Sequence, residues 1–296
     1  MDLNSQTLKG AAPAIVTPFL ESGEIDYKSL DSLIDYQLKA GVDGIVACGS
    51  TGEAATLTDA ERVSVISHVV KRASGQAYVI AGIGASSTKV AQDMARQYSE
   101  LGVDGLLLVA PFYNKPSQEG IYQHFASVAQ STKSPIVAYN VPGRTASNIL
   151  PSTVARLAKD NLIIGLKDAS GSVDQTLDTL ALVGNSISLL SGEDSLTYPM
   201  MTCGARGTIS ATGNIVPKLV ADLTHFANSG DYKAALDVHW KFLPFARAMF
   251  IETNPVPVKA ALAIKGIIAS PTVRLPLTPA APQTVEKLKA LISGNL

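Results

Sequence analysis

Short apolar runs recur along the chain, and the stretches between them follow a helical period. Eight of these runs predict strands, over 12–19, 44–49, 78–84, 105–111, 136–141, 163–167, 187–191 and 207–211. Most are apolar throughout instead of alternating, as parallel strands covered on both faces must be. Between them, the segment 26–40 carries Leu30, Leu33, Ile34 and Leu38 along one helical stripe. Thr58 and Glu61 form a capping box for a helix running to about Ala73. Segments 117–132, 151–159 and 173–182 read the same way. Leu38-Lys-Ala-Gly-Val-Asp-Gly and Leu101-Gly-Val-Asp-Gly repeat at two helix ends, where Gly41 and Gly102 suit a left-handed C-cap.

Eight β-then-α units favour a closed (β/α)8 TIM barrel over an open doubly wound sheet. A dinucleotide-binding sheet would want G-x-G-x-x-G after the first strand. None is there, and Gly82-Ile-Gly84 is only a fragment of it. From about Val216 onward the pattern is helical, punctuated by Pro255, Pro257, Pro271 and Pro276. The chain therefore divides into a barrel over 1–228 and C-terminal helices over 229–296 packed on it.

Composition narrows the function classes. The 296 residues are 46 % hydrophobic, enough for a large core. With 24 basic and 25 acidic residues the net charge is -1, which gives no electrostatic case for nucleic acid or a membrane surface as partner. Cys48 and Cys203 both sit in apolar runs and read as buried thiols of a reducing compartment. The N-terminal residues lack the pattern of a signal peptide, and no uncharged apolar stretch is long enough to span a bilayer. A soluble, cytoplasmic protein is expected.

In such barrels active sites lie at the C-terminal ends of the strands. Lys167 ends its run, so its ammonium is expected at the barrel mouth with apolar walls behind it. A lone ammonium there must either pair with a carboxylate or give up its proton and serve as a nucleophile; position alone leaves both open. Asp168 is adjacent, but strand neighbours point to opposite faces. The turn Gly49-Ser-Thr-Gly-Glu53 offers backbone N–H groups and the hydroxyls of Ser50 and Thr51 as a cradle for a small carboxylate, or is an ordinary helix-capping turn. Tyr139 ends the fifth run; it is a packing residue or, beside a reactive lysine, a proton shuttle. Arg144 just beyond is a solvated charge or a carboxylate clamp. Tyr113 lies on the loop after the fourth run, where an exposed aromatic suggests an interface or a site. His68, His124, His225 and His239 fall on predicted helices without ligand spacing, and neither a phosphate loop nor a G-x-S-x-G elbow occurs. Carbonyl chemistry without metal or cofactor remains.

At these residues the chain resembles the dihydrodipicolinate synthase/N-acetylneuraminate lyase family of pyruvate-dependent class I aldolases. The likeness runs through Ala14-Ile-Val-Thr-Pro-Phe19, Gly49-Ser-Thr-Gly-Glu53, Tyr113-Asn-Lys-Pro-Ser-Gln-Glu-Gly120, Tyr139-Asn-Val-Pro-Gly-Arg-Thr145, the Lys167 strand and Asn254-Pro-Val-Pro-Val-Lys259. The loops bearing Tyr113 and Arg144 look most like the synthase branch. The resemblance implies aldol condensation of pyruvate with aspartate 4-semialdehyde, toward diaminopimelate and lysine, with no cofactor. It implies that Lys167 forms the imine and that Thr51, with Ser50 beside it, holds the pyruvate carboxylate. Tyr139, Ser50 and Tyr113 would relay protons, Tyr113 reaching in from a neighbouring subunit. Arg144 would hold Tyr139 and bind the second carboxylate, and Ile209 would line the site through its backbone. A homotetramer built as a dimer of dimers is implied as well.

The chain departs from the synthase pattern at Ser50, where threonine is common, at Phe112 and at Ala110. Serine at that place also occurs in the lyase branch, so a pyruvate-releasing lyase or dehydratase acting on a 2-keto sugar acid stays as the alternative, with a non-catalytic pyruvate-binding barrel as a third. The positions matching the family's lysine-inhibition pocket are Asp59, Arg62, Ser86, Val90 and Phe112. Val90 offers the lysine amine no carboxylate, which predicts weak or absent inhibition.

Overall fold

The computed structural model, which describes residues 2–294, turns each of the eight apolar runs into a parallel strand. These are β1 (Gly10–Pro13), β2 (Gly44–Ala47), β3 (Tyr78–Ile83), β4 (Gly105–Val109), β5 (Ile136–Asn140), β6 (Gly165–Asp168), β7 (Ser188–Ser191) and β8 (Gly207–Ser210). They pair in the order β1-β8-β7-β6-β5-β4-β3-β2. The seam between β1 and β2 is closed by Asp43 N–H donating to Ala11 O at 2.9 Å and Ile15 N–H to Val46 O at 3.0 Å. The sheet is thus a barrel, as the alternation predicted.

Successive strand residues serve two different cores, because side chains alternate across a strand. Ala12, Val46, Ile80, Leu107, Val137, Leu190 and Ile209 fill the barrel interior together with Tyr139. Ala11, Ile45, Val79, Leu106, Leu108 and Leu189 point outward and pack under the helices, against Leu33, Ile66 and Phe125 among others. Burying one such Leu or Ile stabilises the fold by about 1.5–3 kcal/mol.

The surrounding helices are α1 (Tyr27–Lys39), α2 (Asp59–Ala73), α3 (Thr88–Ser99), α4 (Gln118–Ala129), the single turn α5 (Pro142–Thr145), α6 (Pro151–Lys159), α7 (Val173–Val183), α8 (Thr197–Thr202), α9 (Pro217–Asn228), α10 (Tyr232–Ala248), α11 (Val256–Ile264) and α12 (Pro282–Ile292). The capping box of α2 is reciprocal: Glu61 N–H donates to Thr58 Oγ1 at 3.2 Å and Thr58 N–H to Glu61 Oε2 at 2.8 Å. Gly41 and Gly102 take left-handed φ values of +79° and +81° just past α1 and α3. Beyond the barrel, α10 packs on α8 and α9, and α12 joins α10 to α11.

Every strand differs from its predicted run at one end or both, mostly by a residue or two, and three of the differences bear on the site. β1 begins two residues early and stops at Pro13, and residues 14–19 cross the top of the barrel as a loop. There Val16 N–H donates to the side chain of Asn214 at 3.1 Å instead of to a strand. Ile15, Val16 and Phe19 are buried nonetheless, in a segment that makes only isolated bridges, Ala14 to Val46 and Phe19 to Ile25, so their apolar character reflects burial more than membership of a strand. β2 stops at Ala47 because Cys48 is left-handed (φ +53°). β6 runs one residue past Lys167 to Asp168, which pairs with Ser191.

Of the two expected buried thiols, Cys48 is buried and Cys203 only partly so. Burial pushes the Cys48 thiol up to about 12 and keeps it unreactive. Among the described residues no helix is long and apolar enough to cross a membrane.

Candidate active site

Parallel pairing puts the ends of β5 and β6 in register, with Tyr139 opposite Lys167 and Val109 opposite Tyr139. Lys167 is 7 % exposed, and its Nζ lies 4.1 Å from the centroid of the Tyr139 ring. Among the described residues no carboxylate pairs with that Nζ. The neighbouring Asp168 faces the other way, accepting from Ser170 N–H at 3.0 Å and from the Thr176 hydroxyl at 3.0 Å. The aliphatic part of Lys167 passes Gly192, where a Cβ would come within 3.0 Å of its Cγ and Cε. Glycine after β7 therefore makes room for the lysine. Past Gly192, Asp194 is wholly buried and its carboxyl is pushed up by burial, against the pull of hydrogen bonds from Ser210 and Thr212 and of the Lys167 charge. Its Oδ2 accepts from Thr212 N–H at 2.8 Å.

A cavity of about 380 Å³ opens beside this pair at the C-terminal ends of β2 to β5. Ser50, Gly82, Val109, Tyr139, Arg144 and Asn254 are among its walls. Gly82 owes its place to a close approach: a Cβ there would stand 2.4 Å from the carbonyl oxygen of Cys48. It lets the chain leaving β2 fold over β3, while Gly84 makes room for the Val109 side chain, so each glycine of Gly82-Ile-Gly84 answers a packing need.

The turn after β2 is tight. Gly52 N–H donates to Gly49 O at 3.0 Å and Glu53 N–H to Ser50 O at 3.1 Å. The N–H groups of Ser50 and Thr51 have no partner among the described residues. Two successive free N–H groups flanked by two hydroxyls form a nest for a small anion. Glu53 is left-handed (φ +53°), and its buried carboxylate pairs with the fully buried Lys259 at 2.5 Å and accepts from Arg274 N–H at 3.0 Å. Burial lowers the Lys259 ammonium to about 8 against the opposing pull of Glu53. The turn is thus anchored from beneath by α11 and the loop after it.

Arg144 sits on α5, not on an irregular loop, and borders the cavity. Its Nη2 donates to Asn254 O at 3.0 Å. The expected hold on Tyr139 is not among its contacts. Thr51 is buried, and its hydroxyl accepts from Asn254 Nδ2 at 2.9 Å. Ile209 pairs with Ala12 and fills the barrel interior. Tyr113 is 90 % exposed with φ +73° and is not on the cavity wall, although its neighbour Phe112 and Thr145, whose carbonyl accepts from Tyr113 N–H at 3.3 Å, are. Ser50, Tyr139 and Arg144 thus share the cavity wall, Lys167 adjoins it through the Tyr139 ring and Thr51 through Asn254, while Tyr113 contacts none of these side chains among the described residues.

The sequence singled out neither Gly192, Asp194 nor Asn254. Asn254 carried a signal, as the first residue of a quoted motif, but its partner Thr51 lies 203 positions away. The four histidines are on α2, α4, α9 and α10, engaged with Asp31, Thr88, Asp43 and the Tyr198 ring respectively.

The model of the dihydrodipicolinate synthetase family matches residues 7–295. A protein of Trichlorobacter lovleyi named 4-hydroxy-tetrahydrodipicolinate synthase is 49 % identical over 284 residues, covering 96 % of this chain and 97 % of that one. One of the same name from Syntrophus aciditrophicus is 48 % identical over 286 residues, covering 97 % and 98 %. Among solved structures, the dihydrodipicolinate synthase of Thermotoga maritima superposes with a TM-score of 0.95 at 40 % identity, covering 98 % of this chain and 99 % of that one. The chloride-inhibited dihydrodipicolinate synthase of Acinetobacter baumannii, complexed with pyruvate, superposes with a TM-score of 0.95 at 39 % identity, covering 97 % and 99 %.

Proposed function

The chain belongs to the dihydrodipicolinate synthetase family, and from that premise we propose that it condenses pyruvate with aspartate 4-semialdehyde to 4-hydroxy-tetrahydrodipicolinate, on the route to diaminopimelate and lysine. The observation that carries this is Lys167 itself: a buried amine at the mouth of a barrel, without an ionic partner among the described residues and lying against the face of a tyrosine ring. The pyruvate complex of the Acinetobacter baumannii relative and the synthase name shared by the curated relatives favour this reaction over cleavage of a sugar acid.

Nζ of Lys167 adds to the ketone of pyruvate, and water leaves as the imine forms. Protonated, the imine draws electrons from the methyl group, which loses a proton to give an enamine. The enamine carbon attacks the aldehyde of the second substrate, and the amine of that substrate then replaces Nζ at the imine carbon, closing the ring and freeing the lysine. Each step moves a proton, so hydroxyls must lie between Nζ and water. Tyr139 and Ser50 take that role on the cavity wall, and Tyr113 of a neighbouring subunit completes it. The N–H groups of the turn after β2 and the Thr51 hydroxyl hold the pyruvate carboxylate. Arg144, free on one edge of its guanidinium, clamps the carboxylate of the semialdehyde, and the backbone at Ile209 lines the floor. The protein works in the cytoplasm as a homotetramer, a dimer of dimers.

Borohydride reduction in the presence of pyruvate tests the central step. Mass spectrometry is expected to find one pyruvate-derived adduct on Lys167 in the wild type and none in Lys167→Ala. An unmodified Lys167 would leave a barrel that merely binds ligands.

A further inference from the structure

We infer that Asn254 is a positioning residue for pyruvate, because its amide sets the direction of the one hydroxyl hydrogen of Thr51. This role rests on the proposed pyruvate reaction.

A threonine hydroxyl has one hydrogen and two lone pairs. Asn254 Nδ2 donates to Thr51 Oγ1 at 2.9 Å, in a place where Thr51 is 4 % and Asn254 6 % exposed. One lone pair of Thr51 is thereby occupied, and its O–H is left to point elsewhere. That hydrogen is then available to an anion seated on the free N–H groups of Ser50 and Thr51 in the same turn. Had the contact run the other way, with Thr51 donating to an acceptor, lone pairs would face the carboxylate and repel it.

Asn254 is placed to act on both halves of the site. Its backbone carbonyl receives the Arg144 guanidinium at 3.0 Å, so the same residue adjoins the carboxylate clamp for the second substrate. The two contacts use different atoms, and this makes them separable: replacing the side chain leaves the carbonyl in place. The amide oxygen of Asn254 has no partner, so the side chain is held by Thr51 alone among the described residues. It comes from the segment between α10 and α11, outside the barrel strands, which gives the C-terminal helices a direct hand in substrate recognition.

Steady-state kinetics of Asn254→Ala, Asn254→Asp, Thr51→Val and the Asn254→Ala/Thr51→Val double variant decide the matter. Asn254→Ala is expected to raise KM for pyruvate about tenfold, the worth of one hydrogen bond to a charged group, while kcat and the KM for the semialdehyde stay near wild type. Asn254→Asp, nearly isosteric, is expected to raise it further, because a carboxylate turns the Thr51 hydrogen toward itself, and the defect should shrink as the pH falls and the introduced carboxyl is neutralised. In the double variant the pyruvate KM should equal that of Thr51→Val alone. Additive effects in the double variant, or an unchanged pyruvate KM in both Asn254 variants with Lys167 still trapped by borohydride, would overturn the inference and leave the reaction standing. An untrapped Lys167 in the wild type would overturn both. Should the alanine variant fail to fold, the aspartate variant and its pH dependence carry the same decision.

Discussion

Tyr139 contributes two separable things to Lys167, a ring and a hydroxyl. The ring face lies 4.1 Å from Nζ and stabilises a cation there, and phenylalanine keeps that face. Tyr139→Phe therefore removes the hydroxyl alone. If that hydroxyl carries protons, kcat should fall by about 10²–10⁴-fold with the fold intact. A nearly silent variant would remove Tyr139 from the relay. The five positions that match the family's lysine-inhibition pocket are a second matter of single residues. Arg62 engages Asp59 and donates to Ala54 O at 3.0 Å, so the one carboxylate of that group is already paired with a cation. Val90, 49 % exposed, presents only methyl groups. The two amines of lysine find no free anion among these five residues, and activity titrated with lysine should change little up to millimolar concentration. A sub-millimolar inhibition constant would contradict this.

At the scale of elements, the strands were legible because parallel strands buried on both sides are mostly apolar, with their polar residues, such as Asn140, Lys167, Asp168 and Ser191, chiefly at the ends. The same property misled at 14–19, where a loop is as buried as a strand and reads alike. Lys167 was legible as a charge at the end of an apolar run. What could not be read was the set of contacts joining elements far apart in the chain: Asn254 to Thr51, and the network that ties the C-terminal region to the turn after β2. Arg274 is the hub of that network. It donates to Gly23 O and Thr56 O, lies 4.4 Å over the Phe19 ring and forms a two-pronged pair with Glu61 in the first turn of α2. Chiefly through its hydrogen bond, Arg274 holds the Glu61 carboxyl down from 4.5 to about 2. A carboxyl depressed on folding stabilises above its ordinary value, and the contribution is lost as pH falls toward 2. Glu61→Gln keeps a capping partner for Thr58 but gives up the charge. It should lower stability at neutral pH by about 1 kcal/mol, with the gap between its unfolding midpoint and that of the wild type closing as pH drops from 5 toward 2. A gap that stays constant over that range would show that the pair does not hold the two regions together.

For the whole molecule the decisive residue is the one the single chain leaves out. Tyr113 is 90 % exposed and held in a left-handed conformation at the rim, with its side chain off the cavity wall of its own subunit. One exposed aromatic is ordinary by itself, but the relay proposed for Ser50 and Tyr139 assigns its outer member to Tyr113. A second copy related by a twofold axis would place it there, since each subunit then lends its Tyr113 to the other. Complementation separates this from a site complete within one chain. Lys167→Ala and Tyr113→Phe should each be nearly inactive alone. In a mixed dimer, the site holding an intact Lys167 receives an intact Tyr113 from its partner. Co-refolded in equal amounts, the two variants should recover about a quarter of wild-type activity, because half the dimers are mixed and one of the two sites in each is whole. If Tyr113 instead acted within its own subunit, the mixed dimer would hold one site without its lysine and one without its tyrosine, and mixing would restore nothing.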